Sequence, residues 1–142
     1  SAHYGIDFEF DNLNGEKKYS GFDIYKKSKL ANVMFTYELA KRVKDKGITA
    51  NCLHPGFVAT KFGNNNNILW RSFIGFAKLL MAISVEDGAK TSIHLACSDE
   101  VKDITGKFFA NSQVKKGSSK AKNEEHNQKL WEISEDFVEK FV

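Results

Sequence analysis

The sequence predicts a layered α/β fold built on parallel strands. Segments with helical periodicity alternate with short apolar segments typical of buried strands, in the order helix, strand, loop, helix, strand, helix along the 142 residues. Aromatic residues make up 13% of the chain, which indicates a packed core rather than a disordered chain. Because two strands cannot form a covered parallel sheet, we expect residues 1–142 to be the C-terminal part of one larger domain or to be completed by another chain.

The first half of the chain contains one long predicted helix and one predicted strand. Residues 1–22 carry several glycine, aspartate and asparagine residues, and we interpret them as loop with at most a short extended or helical turn. Residues 23–46 have apolar side chains three or four positions apart, which indicates an amphipathic helix, and Gly47 follows as a C-cap. Residues 48–53 are predicted to be a buried strand that ends at His54-Pro55-Gly56, where the proline fixes the exit.

Two further helices are predicted in the middle of the chain. Residues 57–67 are irregular and end in four consecutive asparagines, and residues 68–83 have the apolar, aromatic composition of a buried helix. Ser84 with Asp87 three positions later resembles a capping box, which opens another helix that reaches about Cys97.

The C-terminal part is predicted to contain a strand and a helix. Residues 106–111 are interpreted as a strand and the polar residues 112–123 as a loop. Residues 124–141 have the pattern of an amphipathic helix. The side chains expected to face a core are Leu130, Trp131, Ile133, Phe137, Val138 and Phe141.

The charge pattern of the sequence disfavours a nucleic-acid-binding function. The net charge of +3 is mild, and a nucleic-acid partner would require a concentrated basic face. The lysine-rich residues 115–122 are interpreted as a solvated loop, so we predict no nucleic-acid partner. His3, His94 and His126 are scattered without metal-ligand spacing, and we predict no metal site.

The cysteines and the hydropathy pattern indicate the cellular compartment of the protein. Cys52 and Cys97 lack metal-ligand spacing, and both are predicted to be buried free thiols in a reducing compartment. The sequence contains neither a recognisable signal peptide nor eighteen consecutive apolar residues, and we predict no membrane span in this segment. These features favour a cytoplasmic location, with a membrane anchor ahead of Ser1 left open.

The residues with most chemical interest are Tyr25 and Lys29. Four positions apart on a helix, they share one face, and a fixed ammonium beside a phenol favours the phenolate. Tyr25 is therefore a candidate general acid or base. Spacing alone does not select it, because Tyr37 and Lys41 repeat the same arrangement later in the same helix.

Position in the fold separates the two pairs. A helix that precedes a parallel strand runs antiparallel to it, so its N-terminus lies at the carboxyl edge of the sheet, where open α/β sheets bind ligands. Tyr25 stands near that end, and His54-Pro55-Gly56 leaves the next strand at the same edge. Tyr37 lies about 18 Å further along the helix. We therefore interpret Tyr37 and Lys41 as a packing residue and a solvated charge.

Several motifs together resemble one known family. Tyr25 with Lys29, the run Ser28 to Asn32, and Pro55-Gly56 followed by Thr60 resemble the C-terminal half of a short-chain dehydrogenase/reductase. Within that family, the motifs already quoted, together with Ala2-His3, Tyr19 and residues 106–109, resemble the retinol dehydrogenase and protochlorophyllide reductase-like branch. The resemblance covers nearly the whole chain and implies the C-terminal part of a Rossmann-like, doubly wound parallel sheet.

The resemblance also implies roles for individual residues. Tyr25 would be the proton donor or acceptor at the substrate, and Lys29 would favour the phenolate and bind the nicotinamide ribose. Pro55 and Gly56 would pass beside the nicotinamide, while Val58 would offer backbone groups to its carboxamide. Thr60 would cap that loop. Residues 57–83 would form an apolar substrate lid.

Parts of the family's pattern lie outside this sequence. The glycine-rich pyrophosphate loop, the residue that selects NAD or NADP, and the Asn-Asn-Ala-Gly stretch have no counterpart in residues 1–142. The catalytic serine has two placements: it immediately precedes Ser1, which the branch pattern favours, or it is Ser1 itself. Full binding of a dinucleotide is therefore expected to require the N-terminal half.

The sequence thus predicts an NAD(P)-dependent oxidoreductase that interconverts an alcohol and a carbonyl on a small lipophilic substrate, with NADP favoured by the resemblance. The alternative is a non-catalytic Rossmann-like regulator or binding scaffold. The retained Tyr25 and Lys29 argue against that alternative. A homodimer or other oligomer is possible, and the substrate, the direction of reaction and the oligomeric state are not determined by the sequence.

Overall fold

A computed structural model of the chain describes residues 2–58 and 82–141. Its helices are α1 (Gly21–Arg42), α2 (Val85–Cys97) and α3 (Glu124–Val138), and its strands are β1 (Cys52–His54), β2 (Phe108–Ala110) and β3 (Gln113–Lys115). The strands form one sheet in the order β1-β2-β3, in which β1 and β2 are parallel and β3 is antiparallel to β2. In the described ranges, no helix has the length and apolarity needed to cross a bilayer.

Helix α1 carries its buried face as predicted. The residues that are at most 4% exposed recur three or four positions apart: Leu30, Val33 and Met34. The helix ends at Arg42, and a 3-10 turn, Lys44–Lys46, leads into Gly47, which adopts the left-handed conformation with φ 66°. The predicted helix is therefore confirmed, although a tighter turn that Gly47 terminates replaces its last residues.

Two adjacent phenylalanines of β2 show that helices cover both faces of the sheet. Successive side chains of a strand point to opposite faces. Phe108 belongs to the core cluster formed with α1 and α3, which includes Leu30 and Leu130. Phe109, which is 1% exposed, lies with its ring centroid 6.5 Å from that of His94 on α2. The predicted layered α/β class is confirmed, with α1 and α3 on one face and α2 on the other.

Strand β1 is shorter and begins later than the sequence pattern indicates. Pairing with β2 starts at Cys52, and Ile48, predicted to be buried in the strand, is 53% exposed. The reason lies in Asn51, whose side chain accepts a hydrogen bond from the Lys107 N–H and donates one to the Ile104 carbonyl. These side-chain bonds occupy the polar groups just before the ladder, so regular pairing begins only at Cys52, four residues after the predicted start.

The hairpin between β2 and β3 was not predicted. Asn111 and Ser112 connect the strands, with φ values of 52° and 57°, the combination of a tight two-residue hairpin turn. The Ser112 N–H donates to the Thr91 hydroxyl at 3.0 Å, and Thr91 is buried on α2. The turn is therefore held by α2 as well as by its own strands.

The segment interpreted as a solvated lysine loop is partly a structural element. Residues Ser119–Lys122 form a 3-10 turn that contacts α1, and Ala121 within it is completely buried. Lys120 pairs with Asp7 at 2.5 Å. The prediction of a wholly solvated loop is therefore wrong, because a small apolar residue fits against the helix while its lysine neighbours stay outside.

The predicted burial of four other residues is also wrong. Near the end of α3, the large apolar side chains Phe137 and Val138 are more than half exposed, and Phe141 beyond it is 86% exposed. The contact of α3 with α1 lies nearer the middle of α3, where the ring centroids of Trp131 and Phe35 stack 4.9 Å apart. Cys97, the last residue of α2, is exposed as well.

Candidate functional site

Tyr25 and Lys29 form the predicted pair near the start of α1. The Lys29 ammonium lies 5.5 Å from the centroid of the Tyr25 ring. Tyr25 is half-buried and Lys29 is exposed, and the Ser28 hydroxyl donates to the Tyr25 carbonyl at 2.8 Å. The shared face predicted from the spacing is confirmed. A phenol and a cation in this arrangement can hold and transfer a proton at a surface that a small molecule can reach.

The second pair, Tyr37 and Lys41, has a different environment. Tyr37 packs against the core cluster, and burial raises the pKa of its phenol. Lys41 forms an ion pair with Glu124 at 2.8 Å. The interpretation of Tyr37 as a packing residue is confirmed, and Lys41 is an ion-paired surface charge. A phenol whose ionisation is disfavoured is poorly suited to proton transfer near neutral pH.

The direction of α1 follows from two contacts with the sheet. Near the end of the helix, the Ala40 methyl group lies 3.4 Å from where a Cβ on Gly106 would stand, just before β2. Further toward the helix N-terminus, Thr36 lies beside the Cys52 thiol at the start of β1, where it partly offsets the effect of burial on the thiol pKa. Moving backward along α1 therefore means moving forward along the parallel strands, as predicted for a helix-strand unit.

This direction places Tyr25 level with the loop that follows β1. From Thr36 to Tyr25, α1 rises about 16 Å at 1.5 Å per residue. From Cys52 to Gly56, an extended chain advances about 13 Å in the same direction. Tyr25 and the loop after β1 therefore both reach the height of the carboxyl edge of the sheet.

The loop after β1 is held by Ile83. Gly56 has φ 94°, and a Cβ there would lie 2.7 Å from the Ile83 Cδ1 atom. The Ile83 N–H donates to the Phe57 carbonyl at 2.9 Å, and Val58 forms a single parallel bridge with Ile83. Pro55 is exposed at the strand exit. The sequence-predicted residues Pro55, Gly56 and Val58 are therefore brought together in one fixed loop.

Gly88 helps to position the loop after β1, and this role was not predicted from the sequence. It is buried in the second turn of α2, and a Cβ there would lie 2.6 Å from Val58 Cγ2. Ser84 starts this helix by accepting a hydrogen bond from the Asp87 N–H at 3.0 Å, as predicted. The available signal was a glycine inside a predicted helix, which often marks a close approach. Gly88 lets the loop pack directly on α2.

Two histidines near the strands are held neutral. Burial lowers the pKa of His3 to about 4, and His3 is 1% exposed with its ring 4.7 Å from that of Phe108. Burial also lowers the pKa of His54 at the end of β1. Both imidazoles are therefore uncharged near neutral pH, which is consistent with the interpretation of His54 as a packing residue. Burial likewise raises the pKa of the Cys52 thiol to about 11.

Some sequence-predicted features lie outside the described residues. These are Ser1, Thr60 and most of the predicted lid, from residue 59 to residue 81. Among residues 2–58 and 82–141, no group of three or more histidine, cysteine, aspartate or glutamate side chains is arranged to hold a metal ion.

Comparisons with known proteins agree on one family. Residues 12–68 match the family model described as short chain dehydrogenase. The chain is 39% identical over 137 residues to human retinol dehydrogenase 14, and 38% identical over 136 residues to mouse retinol dehydrogenase 12. These matches cover 95% and 94% of this chain but 40% and 42% of the relatives, so the chain spans about two fifths of their length.

A solved structure has a similar fold. The crystal structure of an uncharacterized protein from Mycobacterium paratuberculosis superposes with a TM-score of 0.70 at 25% sequence identity. The similarity covers 97% of this chain and 47% of that one. The arrangement of helices and sheet therefore recurs as part of a larger chain.

Proposed function

We propose that this chain, a member of the short-chain dehydrogenase/reductase family and retinol dehydrogenase-like in sequence, supplies the proton-transfer part of an NAD(P)-dependent oxidoreductase. The reaction interconverts an alcohol and a carbonyl on a small lipophilic molecule. The names of the relatives point to retinol or its aldehyde as the first substrate to test. NADP is favoured over NAD only by the resemblance to that branch.

One observation carries the proposal, namely the contrast between two pairs on the same helix. Tyr25 and Lys29 stand near the end of α1 that reaches the carboxyl edge of the sheet, with the ammonium 5.5 Å from the ring. Tyr37 and Lys41 have the same spacing, but the phenol is packed in the core and the ammonium is paired with Glu124. This contrast supports the first pair as the one that meets a substrate.

The residues present suit a nicotinamide cofactor. Lys29 is exposed beside Tyr25, so its ammonium can donate hydrogen bonds to the ribose hydroxyls. Pro55, Gly56 and Val58 form the fixed loop that would lie beside the nicotinamide and its carboxamide. The cofactor supplies the hydride when it is bound.

The protein's part in the reaction is one proton transfer. In the direction of reduction, the Tyr25 hydroxyl donates its proton to the carbonyl oxygen, and in oxidation the phenolate accepts the proton of the substrate alcohol. Lys29 supports the transfer, because its positive charge stands beside the ring and offsets the negative charge that develops on the phenol as the proton moves. The phenol is half-buried, which limits its freedom and keeps its oxygen near one position.

Further parts of the proposal concern the rest of the molecule. Residues 1–142 form the C-terminal part of one Rossmann-like domain, and the N-terminal half supplies the glycine-rich loop. Thr60 caps the cofactor loop, residues 57–83 form the substrate lid, and the catalytic serine precedes Ser1 or is Ser1. The location is cytoplasmic or anchored through a segment ahead of Ser1, and a homodimer is the first oligomer to test.

The experiment compares Lys29→Met with the matched control Lys41→Met in the complete domain, that is, residues 1–142 with the proposed N-terminal half. We expect Lys29→Met to lower kcat/KM for all-trans-retinal with NADPH by about 100-fold, and Lys41→Met to change it less than about threefold. Equal effects of the two variants would contradict the assignment. Absence of turnover in the unmodified domain would favour a non-catalytic Rossmann-like regulator.

A further inference from the structure

Residues 5–11, called the strap from here on, alternate between two environments. Ile6, Phe8 and Phe10 pack against the core cluster. The residues between and on either side of them each meet a lysine ammonium: Lys26 donates to the Gly5 carbonyl at 3.0 Å, Lys120 pairs with Asp7 at 2.5 Å, Lys27 with Glu9 at 2.5 Å, and Lys17 with Asp11 at 2.7 Å. The strap is thus anchored by apolar side chains along one edge and by lysines along the other.

The strap is tied to the part of α1 that carries Tyr25. Lys26 and Lys27 are the two residues that follow Tyr25, and both bind the strap. At about 100° per residue, Lys27 lies on the opposite side of the helix from Tyr25. The strap therefore contacts the side of this helical turn that is opposite the Tyr25 side chain.

The pair of Lys27 with Glu9 differs from the other ion pairs of the strap. The Lys27 side chain is 14% exposed, whereas those of Lys17 and Lys120 are 65% and 58% exposed. Exposed ion pairs contribute little, because water screens them. The Lys27 stem, in contrast, is held by packing although the Glu9 side chain is 58% exposed, so this lysine loses less conformational freedom when the pair forms. Among the three ion pairs of the strap, the pair of Glu9 with Lys27 is therefore the best ordered.

The pair of Glu9 with Lys27 spans a cleft between the strap and α1. A cavity of about 270 Å³ separates the strap from the first turns of α1. Gly5, Ile6 and Glu9 line one side of it, and Ile24 and Lys27 line the other. Because side chains do not fill this cleft, the bonds across it add to the core contacts of Ile6, Phe8 and Phe10 in setting the distance between strap and helix.

We propose that Glu9 and Lys27 are positioning residues for Tyr25. Glu9 stands between Phe8 and Phe10, whose rings lie 5.0 Å apart in contact with the core, and it holds Lys27 and with it the turn that carries the phenol. This inference rests on the proposed function of Tyr25. It adds two residues on the far side of the helix that touch neither substrate nor cofactor.

The test compares Glu9→Gln with the matched control Asp11→Asn, which removes the charge of an exposed pair on the same strap. Hydrogen exchange of the complete domain is followed by mass spectrometry, with residues 22–30 as the reporting segment and residues 33–42 as the internal reference. We expect Glu9→Gln to raise exchange in residues 22–30 by about tenfold, and Asp11→Asn to leave it within about twofold of the original. Residues 33–42 stay unchanged in both.

Kinetics of all-trans-retinal reduction separate positioning from mere stability. We expect Glu9→Gln to lower kcat by about tenfold with KM nearly unchanged, because a small displacement of the phenol slows proton transfer. Lys27→Arg, which keeps the charge, retains most of kcat. Should Glu9→Gln fail to fold, Glu9→Asp is used and an intermediate loss is expected.

Each remaining outcome counts against the inference. Exchange in residues 22–30 that is equal in Glu9→Gln and Asp11→Asn overturns it, and so does faster exchange with an unchanged kcat. An equal loss of kcat in Lys27→Arg and Glu9→Gln overturns it as well. If the unmodified domain has no turnover, the proposed function of Tyr25 fails, and the positioning role fails with it, while the exchange data still report whether Glu9 orders the helix.

Discussion

Replacing Gly88 by alanine tests how closely the loop after β1 is packed on α2. The added Cβ would lie 2.6 Å from Val58 Cγ2 and 3.1 Å from Val58 Cγ1, whereas carbon atoms in contact are normally about 3.5–4.0 Å apart. Val58 must therefore move by about 1 Å. Overpacking of this kind costs about 1–3 kcal/mol, while alanine gains about 1 kcal/mol of helix propensity over glycine. We expect a net loss of stability of about 1 kcal/mol.

The assay is urea unfolding, with Gly21→Ala as the matched control. Gly21 is also helical, but a Cβ there would have the Tyr19 hydroxyl as its nearest neighbour, at an ordinary 3.5 Å. We expect Gly21→Ala to be neutral or slightly stabilising. NADPH binding by the complete domain, measured by calorimetry, should weaken in Gly88→Ala and not in Gly21→Ala, since only the former displaces Val58. Two variants of equal stability and affinity would refute the reasoning.

Two further predictions concern stability. Thr91→Val removes the hydroxyl that accepts from the Ser112 N–H and should destabilise the domain by about 1–2 kcal/mol in urea unfolding, with the exposed Thr49→Val unchanged. Burial lowers the pKa of His3 from 6.5 to about 4, so between these pH values the unfolded chain binds more protons and stability falls as the pH is lowered from 6.5 to 4, by at most about 3 kcal/mol. His3→Gln should flatten that part of the stability profile; an unchanged slope would show that other groups produce it.

The sequence allows the main helix to be predicted because its pattern is repeated over many residues. Leu30, Val33 and Met34 recur at helical spacing and are buried as expected. The same reasoning fails at the end of α3, where Phe137 and Phe141 keep the pattern but are exposed. A pattern shows which side of a helix is apolar. It does not show how far a neighbouring element extends along it.

The hairpin was not predicted, whereas the segment that contains the strap is loop with one short helical turn, Phe10–Asn12, as predicted. The turn at Asn111 and Ser112 lacks the glycine that usually marks a left-handed position, and all three residues of β3 are exposed, so no alternation signals a strand. In the strap, the alternation was present: Ile6, Phe8 and Phe10 are separated by acidic residues. The surrounding glycine and asparagine residues predict a loop, which is confirmed, but they do not show that Ile6, Phe8 and Phe10 pack against the core.

The candidate site could be predicted in part. The spacing of Tyr25 and Lys29 and their place near a helix start required only helix geometry and the direction of a helix-strand unit. The contacts of Gly88 with Val58 and of Lys27 with Glu9 join residues distant in sequence, and no local pattern encodes such a pairing. The pair of Tyr25 and Lys29 could therefore be predicted from the sequence, whereas the contacts that hold the surrounding elements in place required the three-dimensional structure.

The most direct test of the central claim compares Tyr25→Phe with Tyr37→Phe in the complete domain. Each variant removes one hydroxyl from the same helix and keeps the ring. We predict that Tyr25→Phe lowers kcat for NADPH-dependent reduction of all-trans-retinal by at least about 100-fold while leaving NADPH affinity nearly unchanged, and that Tyr37→Phe keeps kcat within about threefold. Undiminished turnover in Tyr25→Phe would contradict the assignment of Tyr25 as the proton donor.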